Sequence, residues 1–228
     1  MRAQRIVRIL ALVEHKVEHA VVALVGDVIA SRHSRDREQL QGQMARATSA
    51  VNAVVPAIQP LMMTVGDEFQ GLFAGLAAGF QAALRLRLAL LPQVDVRIGI
   101  GWGPLTLQPQ NPPFGQDGPC WWRAREAIGE VKEGEKSKSV PRSRRTLCIT
   151  GTSSDGLLNG FLGLRDQVMV GLDEVDIRIA NLRLVGKTQT EISDSVGLSQ
   201  SSVSRRLHGH GLYVLLDQEP AQISVPSQ

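Results

Sequence analysis

Two acidic residues set the chemistry to look for. Asp27 closes the apolar run AVVALVGDV, and Asp67 stands inside a second run, LMMTVGDEFQ, directly before Glu68. Each acid sits where a strand would end or turn. Two carboxylates within reach of each other repel, and without a cation one of them would hold its proton. A divalent cation removes that penalty and needs only one or two carboxylates besides phosphate oxygens and water. The pattern points to Asp27, Asp67 and Glu68 as ligands of Mg2+ or Mn2+, with a nucleotide as what the ion would hold. Gly-Asp at a strand end is also ordinary turn chemistry, so a purely structural role fits the same residues.

The elements that must position these acids follow from periodicity. Residues 20–26 read as a buried strand, and 35–55 as a helix with Leu40, Met44, Ala47, Val51 and Val54 on one side, ended by Pro56 and Pro60. Residues 61–65 and 69–73 read as a hairpin turning through Gly66-Asp67-Glu68, and 76–91 as a helix closed by Pro92. A strand follows over 94–101, a further short one over 105–107, and a helix from Pro119 to Lys132. This order predicts an α+β, ferredoxin-like, palm-type fold: an antiparallel sheet with helices on one face.

Alternation then assigns faces. Asp27 shares a face with Ala23 and Val25; Val94, Val96, Ile98 and Ile100 point toward the helices, and Asp95, Arg97, Gly99 and Gly101 point away. Glycine weakens a strand and fills no core. Gly99 and Gly101 are therefore expected to let a flat ligand lie on an open face, with Arg97 as its cation and Trp121 as a base-stacking residue or a core residue. Arg32, Arg35 and Arg37 read either as a solvated helix start or as a phosphate clamp, Arg32 being nearest the site mouth.

After a polar, cationic stretch at 134–145, expected as a linker or mobile loop, and a short strand at 147–150, everything reads as helical. The segment KTQTEISDSVGLSQSSVSRRL is the most specific in the chain. Ile192 and Val196 give a short helix a buried face, Gly197 turns the chain, and Ser199 caps a second helix whose Val203 and Leu207 face inward. This is a helix-turn-helix pattern. The expected DNA-contacting residues are Thr188, Gln189, Ser199, Gln200, Ser201, Ser202, Ser204, Arg205 and Arg206. A module used only for protein contacts is the alternative, though its polar outer face lacks the apolar centre of such interfaces. Acidic neighbours offset its cations, so one copy would neutralise few phosphates, and a homodimer on double-stranded DNA is expected.

With 228 residues the chain suffices for one large or two modest domains. The expected division is an extension at 1–19, the palm-like domain at 20–150, a helical domain at 151–217 and a tail at 218–228. The net charge of +3 permits nucleic-acid contact without indicating it. Two cysteines without ligand spacing, no membrane-length apolar run and a charged N-terminus predict a cytoplasmic protein.

The succession VGDEFQGLFAG, VRIGIGWGPL and GPCWWRAREAI resembles the motifs of class III nucleotide cyclases and the wider palm group. In those enzymes an Asp ending the first strand and an Asp in the hairpin hold two metal ions, which maps onto Asp27 and Asp67. Arg125 falls where an Arg stabilises charge building on the phosphates. Trp121 stands where those enzymes carry an Asn, and the base-reading Lys and Asp lack counterparts. The resemblance implies metal and nucleotide binding with weakened turnover. Over roughly 20–210 the chain resembles the SatD family of bacterial proteins more closely, through GDVIASR, GDEFQ, RIGIGWG, GPCWWRAREAI and the C-terminal helix pair. That last segment also resembles the helix-turn-helix of bacterial regulators and of sigma-factor region four. Two functions therefore stand open: a sequence-specific transcriptional regulator with a nucleotide- or metal-sensing domain, or a metal-dependent cyclase or nucleotidyltransferase with a DNA-binding tail.

Overall fold

The computed structural model describes residues 20–29, 37–106 and 115–216. Its centre is a five-stranded sheet of β1 (Val21–Val28), β2 (Gln59–Met63), β3 (Glu68–Phe73), β4 (Val96–Gly103) and β5 (Thr146–Ile149), in the order β2-β3-β1-β4-β5. β1 is antiparallel to both β3 and β4, and β2 is antiparallel to β3. β5 runs parallel to β4, so the sheet is mixed rather than wholly antiparallel as expected. The helices are α1 (Arg37–Val54), α2 (Leu76–Leu90), α3 (Pro119–Gly134), α4 (Asp155–Val170), α5 (Glu174–Leu184), α6 (Gln189–Val196), α7 (Gln200–Gly209) and α8 (Leu212–Leu216).

Alternation along β1 and β4 divides the core as expected. Val22, Leu24, Val28, Ile98 and Ile100 face α1, α2 and α4, where Met44, Val51, Phe80, Leu86 and Leu162 close the packing. Val21 and Ala23 face the other way, and there the structure departs from expectation. That side is covered by α3 through Cys120, Trp121 and Ala124. Helices therefore lie on both faces of the sheet.

α2 is apolar on two sides because it is sandwiched between two layers. Phe80, Ala83 and Leu86 pack on the sheet, while Leu84 and Leu88 join Ile179, Ile192, Val203, Leu207 and Leu215 of the C-terminal helices. Burying each such aliphatic side chain contributes roughly 1.5–3 kcal/mol. Asn181 Nδ2 donates to the Leu88 carbonyl at 2.8 Å and Arg85 to that of Leu184 at 3.2 Å, fixing the helices on this seat. The cationic stretch at 134–145 joins α3 to β5, within the sheet unit. Among the described residues no helix is long and apolar enough to cross a membrane. The expectations for residues 1–19, Arg32, Arg35, Leu107 and the tail lie outside the described residues.

Candidate functional site

Asp27 ends β1 opposite Glu68 on one side and Arg97 on the other. Its side chain points toward α3, as alternation required, and it is buried. Both carboxylate oxygens are engaged: Oδ1 accepts from Arg97 Nη1 at 2.9 Å, and Oδ2 pairs with Lys132 Nζ at 2.6 Å. Burial pulls the Arg97 pKa down, but its hydrogen bonds to Glu135 and Asp27 more than offset this, so it lies above the ordinary value. The pairing continues in sequence. Glu135 holds Arg97 at 3.0 Å and Arg145 at 3.1 Å; Asp95 holds Arg145 at 3.2 Å and Arg87 at 3.0 Å. The chain of ion pairs ends where Arg87 meets fully buried Asp166 of α4 at 2.6 Å. Asp166 also accepts from the backbone N–H groups of Arg145 and Thr146, both at 2.7 Å.

Asp67 and Glu68 lie at the hairpin turn, where Gly66 takes a φ of +70° that disfavours any side chain. Asp67 does not share Asp27's surroundings. With Gly66, Arg37 and Gln41 it forms the polar rim of a cleft of about 200 Å3 floored by Val28, Leu40, Met44 and Met63, on the α1 side of the sheet. Among the described residues no three His, Cys, Asp or Glu side chains gather as a metal-binding group.

The expected ligand face is closed. A Cβ at Gly99 would stand 2.2 Å from the Ala124 carbonyl oxygen, and one at Gly101 would stand 2.1 Å from that of Cys120. These glycines let α3 lie against the strand, and they leave no room for a ligand there. Trp121 is buried in the same interface, while its neighbour Trp122 is exposed and donates Nε1–H to Asp117 at 2.6 Å. Arg125 is exposed on α3. Lys132, seven residues on and so on the same side of the helix, is the residue that reaches Asp27. That spacing was a signal the sequence held. Arg87, Glu135 and Asp166 were also missed, and their pairings cross too much sequence for local pattern to reveal.

The C-terminal helices hold the second set of candidate residues. Thr188 caps α6, its hydroxyl accepting from Glu191 N while the Glu191 carboxylate accepts from Thr188 N. Glu191 is held at a pKa of about 2 by Lys187 first, then by the Thr188 backbone and hydroxyl. Gly197 takes the left-handed conformation between α6 and α7, and Ser199 caps α7 by accepting from Ser202 N. Gln189 donates to the Tyr213 hydroxyl at 2.8 Å. Gln200, Ser201 and Arg205 are exposed; Ser202 and Ser204 are half-buried. Arg206 does not face outward as expected. Its Nη1 bonds Asp173 and buried Asp176, each at 2.8 Å, bracing α7 against the start of α5, and His210 Nδ1 meets the other Asp176 oxygen at 2.7 Å.

The model of the SatD family matches residues 21–223, from the start of β1 past the end of α8. The chain belongs to the SatD family. The SatD-family match thus takes in both the sheet and the C-terminal helices. No curated protein matches the chain. Among solved structures it is similar to the GGDEF domain of DgcB from Caulobacter crescentus in complex with c-di-GMP. There the identity is 16%, 64% of this chain and 87% of that one are covered, and the TM-score is 0.41. For an EAL/GGDEF domain protein from M. capsulatus the identity is 18%, with 57% and 89% covered and a TM-score of 0.37. For a bacterial light-regulated adenylyl cyclase the values are 10% identity, 58% and 50% coverage and a TM-score of 0.33.

Proposed function

We propose that this chain is a DNA-binding regulator that reads sequence through α7, and that the cleft beside Asp67 takes a nucleotide ligand that tunes it. One observation carries the reading. The early, outward residues of α7 are polar and uncommitted: Gln200 and Arg205 are exposed and make no hydrogen bond among the described residues. Behind them Ile192, Val203 and Leu207 are fully buried, and Gly197 sets the turn between α6 and α7. A short helix, a glycine turn and a second helix with a polar leading end match the helix-turn-helix that docks in a major groove. Selection from random duplex DNA tests this directly. An enriched motif is expected, with binding that weakens steeply as salt rises from about 50 to 200 mM. No enrichment and no binding at low salt would remove the reading.

The cyclase or nucleotidyltransferase reading is favoured by a different observation, the placement of Asp67 on an accessible cleft with Arg37 across it. Against efficient turnover stands Asp27, both of whose oxygens are already neutralised by Arg97 and Lys132. A divalent ion at Asp27 would have to displace Lys132. Sensing asks less of the site than phosphoryl transfer, which depends on positioned charge. In a thermal-shift screen of nucleotides with and without Mg2+ or Mn2+, a ligand at a hundredfold its dissociation constant adds about 2.7 kcal/mol. Asp67→Asn should abolish the shift. A nucleotide product lost in both Asp27→Asn and Asp67→Asn would favour the enzyme instead.

A further inference from the structure

We infer that the outer face of α4 is the seat of a second copy of this chain. The inner side of this helix is firmly committed. Asn159 exchanges hydrogen bonds with the Cys148 backbone at 2.7 and 2.8 Å, Asp155 accepts from the backbone of Thr150 and Gly151, and Leu158, Leu162 and Met169 are buried. The outer side has no partner within the chain that explains its composition. Leu157 is 79% exposed and Leu164 72%, and the exposed positions as a whole (Gly156, Leu157, Gly160, Leu164, Gln167 and Val170) carry no charge.

The glycines are the second anomaly. Gly156, Gly160 and Gly163 each weaken the helix relative to alanine, yet a Cβ at any of them would meet nothing within 4 Å. No close approach inside the chain requires them, unlike Gly99 and Gly101. Their placement makes sense if a neighbouring surface must come close to the helix backbone. Leu157 and Leu164 lie on the same side as these gaps, so the face holds both knobs and holes. A two-fold axis through α4 sets the leucines of one copy over the glycines of the other, which is the self-complementarity an isologous contact needs.

Charge selects the occupant. An identical face brings no charge to the contact and no repulsion, whereas a charged partner would have its ions desolvated against leucine without a counter-ion. The patch does not stop at α4, because Gly211, at the junction of α7 and α8, lies against Val168. A 16-residue helix is about 24 Å long. One such face buries less than the roughly 800 Å2 per partner of a standard interface, so the pair is a weak, concentration-dependent dimer.

Sedimentation velocity of the full chain across the micromolar range tests this without reference to DNA. Wild type should pass from monomer to dimer, and Leu164→Glu, which sets like charges against each other across the two-fold, should weaken association at least tenfold with the melting temperature unchanged. Gly160→Ala separates an interface from an idle surface. If the face is idle it raises the melting temperature and leaves association alone, whereas at the two-fold it weakens association. A chain that stays monomeric throughout, as when the face is covered by its own residues 1–19 or by a foreign protein, overturns the proposal. So does a dimer indifferent to both substitutions.

Discussion

Around the sheet, the charged groups turn inward and are engaged by one another. Asp27, Arg97, Glu135, Arg145, Asp95, Arg87 and Asp166 form an unbroken series of ion pairs from the end of β1 to α4. At the start of α7 the polar groups turn outward, and Arg205 and Gln200 make no bond within the described residues. The contrast is compressed into two adjacent residues: Arg206 braces the fold through Asp173 and Asp176, while Arg205 faces solvent. Residue type alone does not mark a binding group. What marks it is whether the fold already satisfies that group.

The two regions should respond differently to substitution. The largest effect is expected at the buried end of the ion-pair series. Arg87→Ala leaves Asp166 charged and fully buried, and such broken pairs cost about 3–5 kcal/mol in chemical denaturation. Next is Gly101→Ala, whose Cβ would press on the Cys120 carbonyl oxygen and on Ala124 N at 2.3 Å. Overpacking of this kind costs about 1–3 kcal/mol. A normally stable Gly101→Ala protein would return that face to the ligand role first expected of it. Arg206→Ala removes a bond to buried Asp176 and should cost about 1–3 kcal/mol, whereas Arg205→Ala should change stability by less than about 0.5 kcal/mol.

Smaller effects concern the cap of α6. Thr188→Ala should cost about 1 kcal/mol, seen as a lower denaturation midpoint. The Glu191 carboxylate, held at about 2 against an ordinary 4.5, adds stability that is present above pH 4.5 and lost as pH falls through about 2. Acid titration of helix content in the wild type and in Glu191→Gln should show that loss in the wild type alone.

Much of the fold was legible because its punctuation is local. Prolines closed α1 and α2, Gly66 marked the hairpin, and period-two alternation placed Asp27 beside Ala23 and Val25. The same alternation misled at Gly99 and Gly101. It tells which way a side chain leaves a strand, but not what lies across from it. Small residues on α3, at Cys120, Ala124 and Ala127, were the complementary signal, since glycines on a strand and small residues on a helix together mean close packing. The metal trio of Asp27, Asp67 and Glu68 was drawn from strand ends alone, and Lys132 enters that setting from a helix whose side of the sheet periodicity does not fix. Arg206 was placed outward because the helical pattern of α7 does not reveal Asp176, thirty residues earlier.

The most direct test compares wild type, Arg205→Ala and Arg206→Ala for binding to the selected DNA and to random duplex at the same salt. Arg205→Ala should fold normally and lose the preference for the selected sequence by about 1–3 kcal/mol, while Arg206→Ala should lose stability first, with any loss of binding following from it. Equal binding of both duplexes by the wild type, or an Arg205→Ala protein that keeps the full preference, would contradict the assignment of α7 as the reading helix.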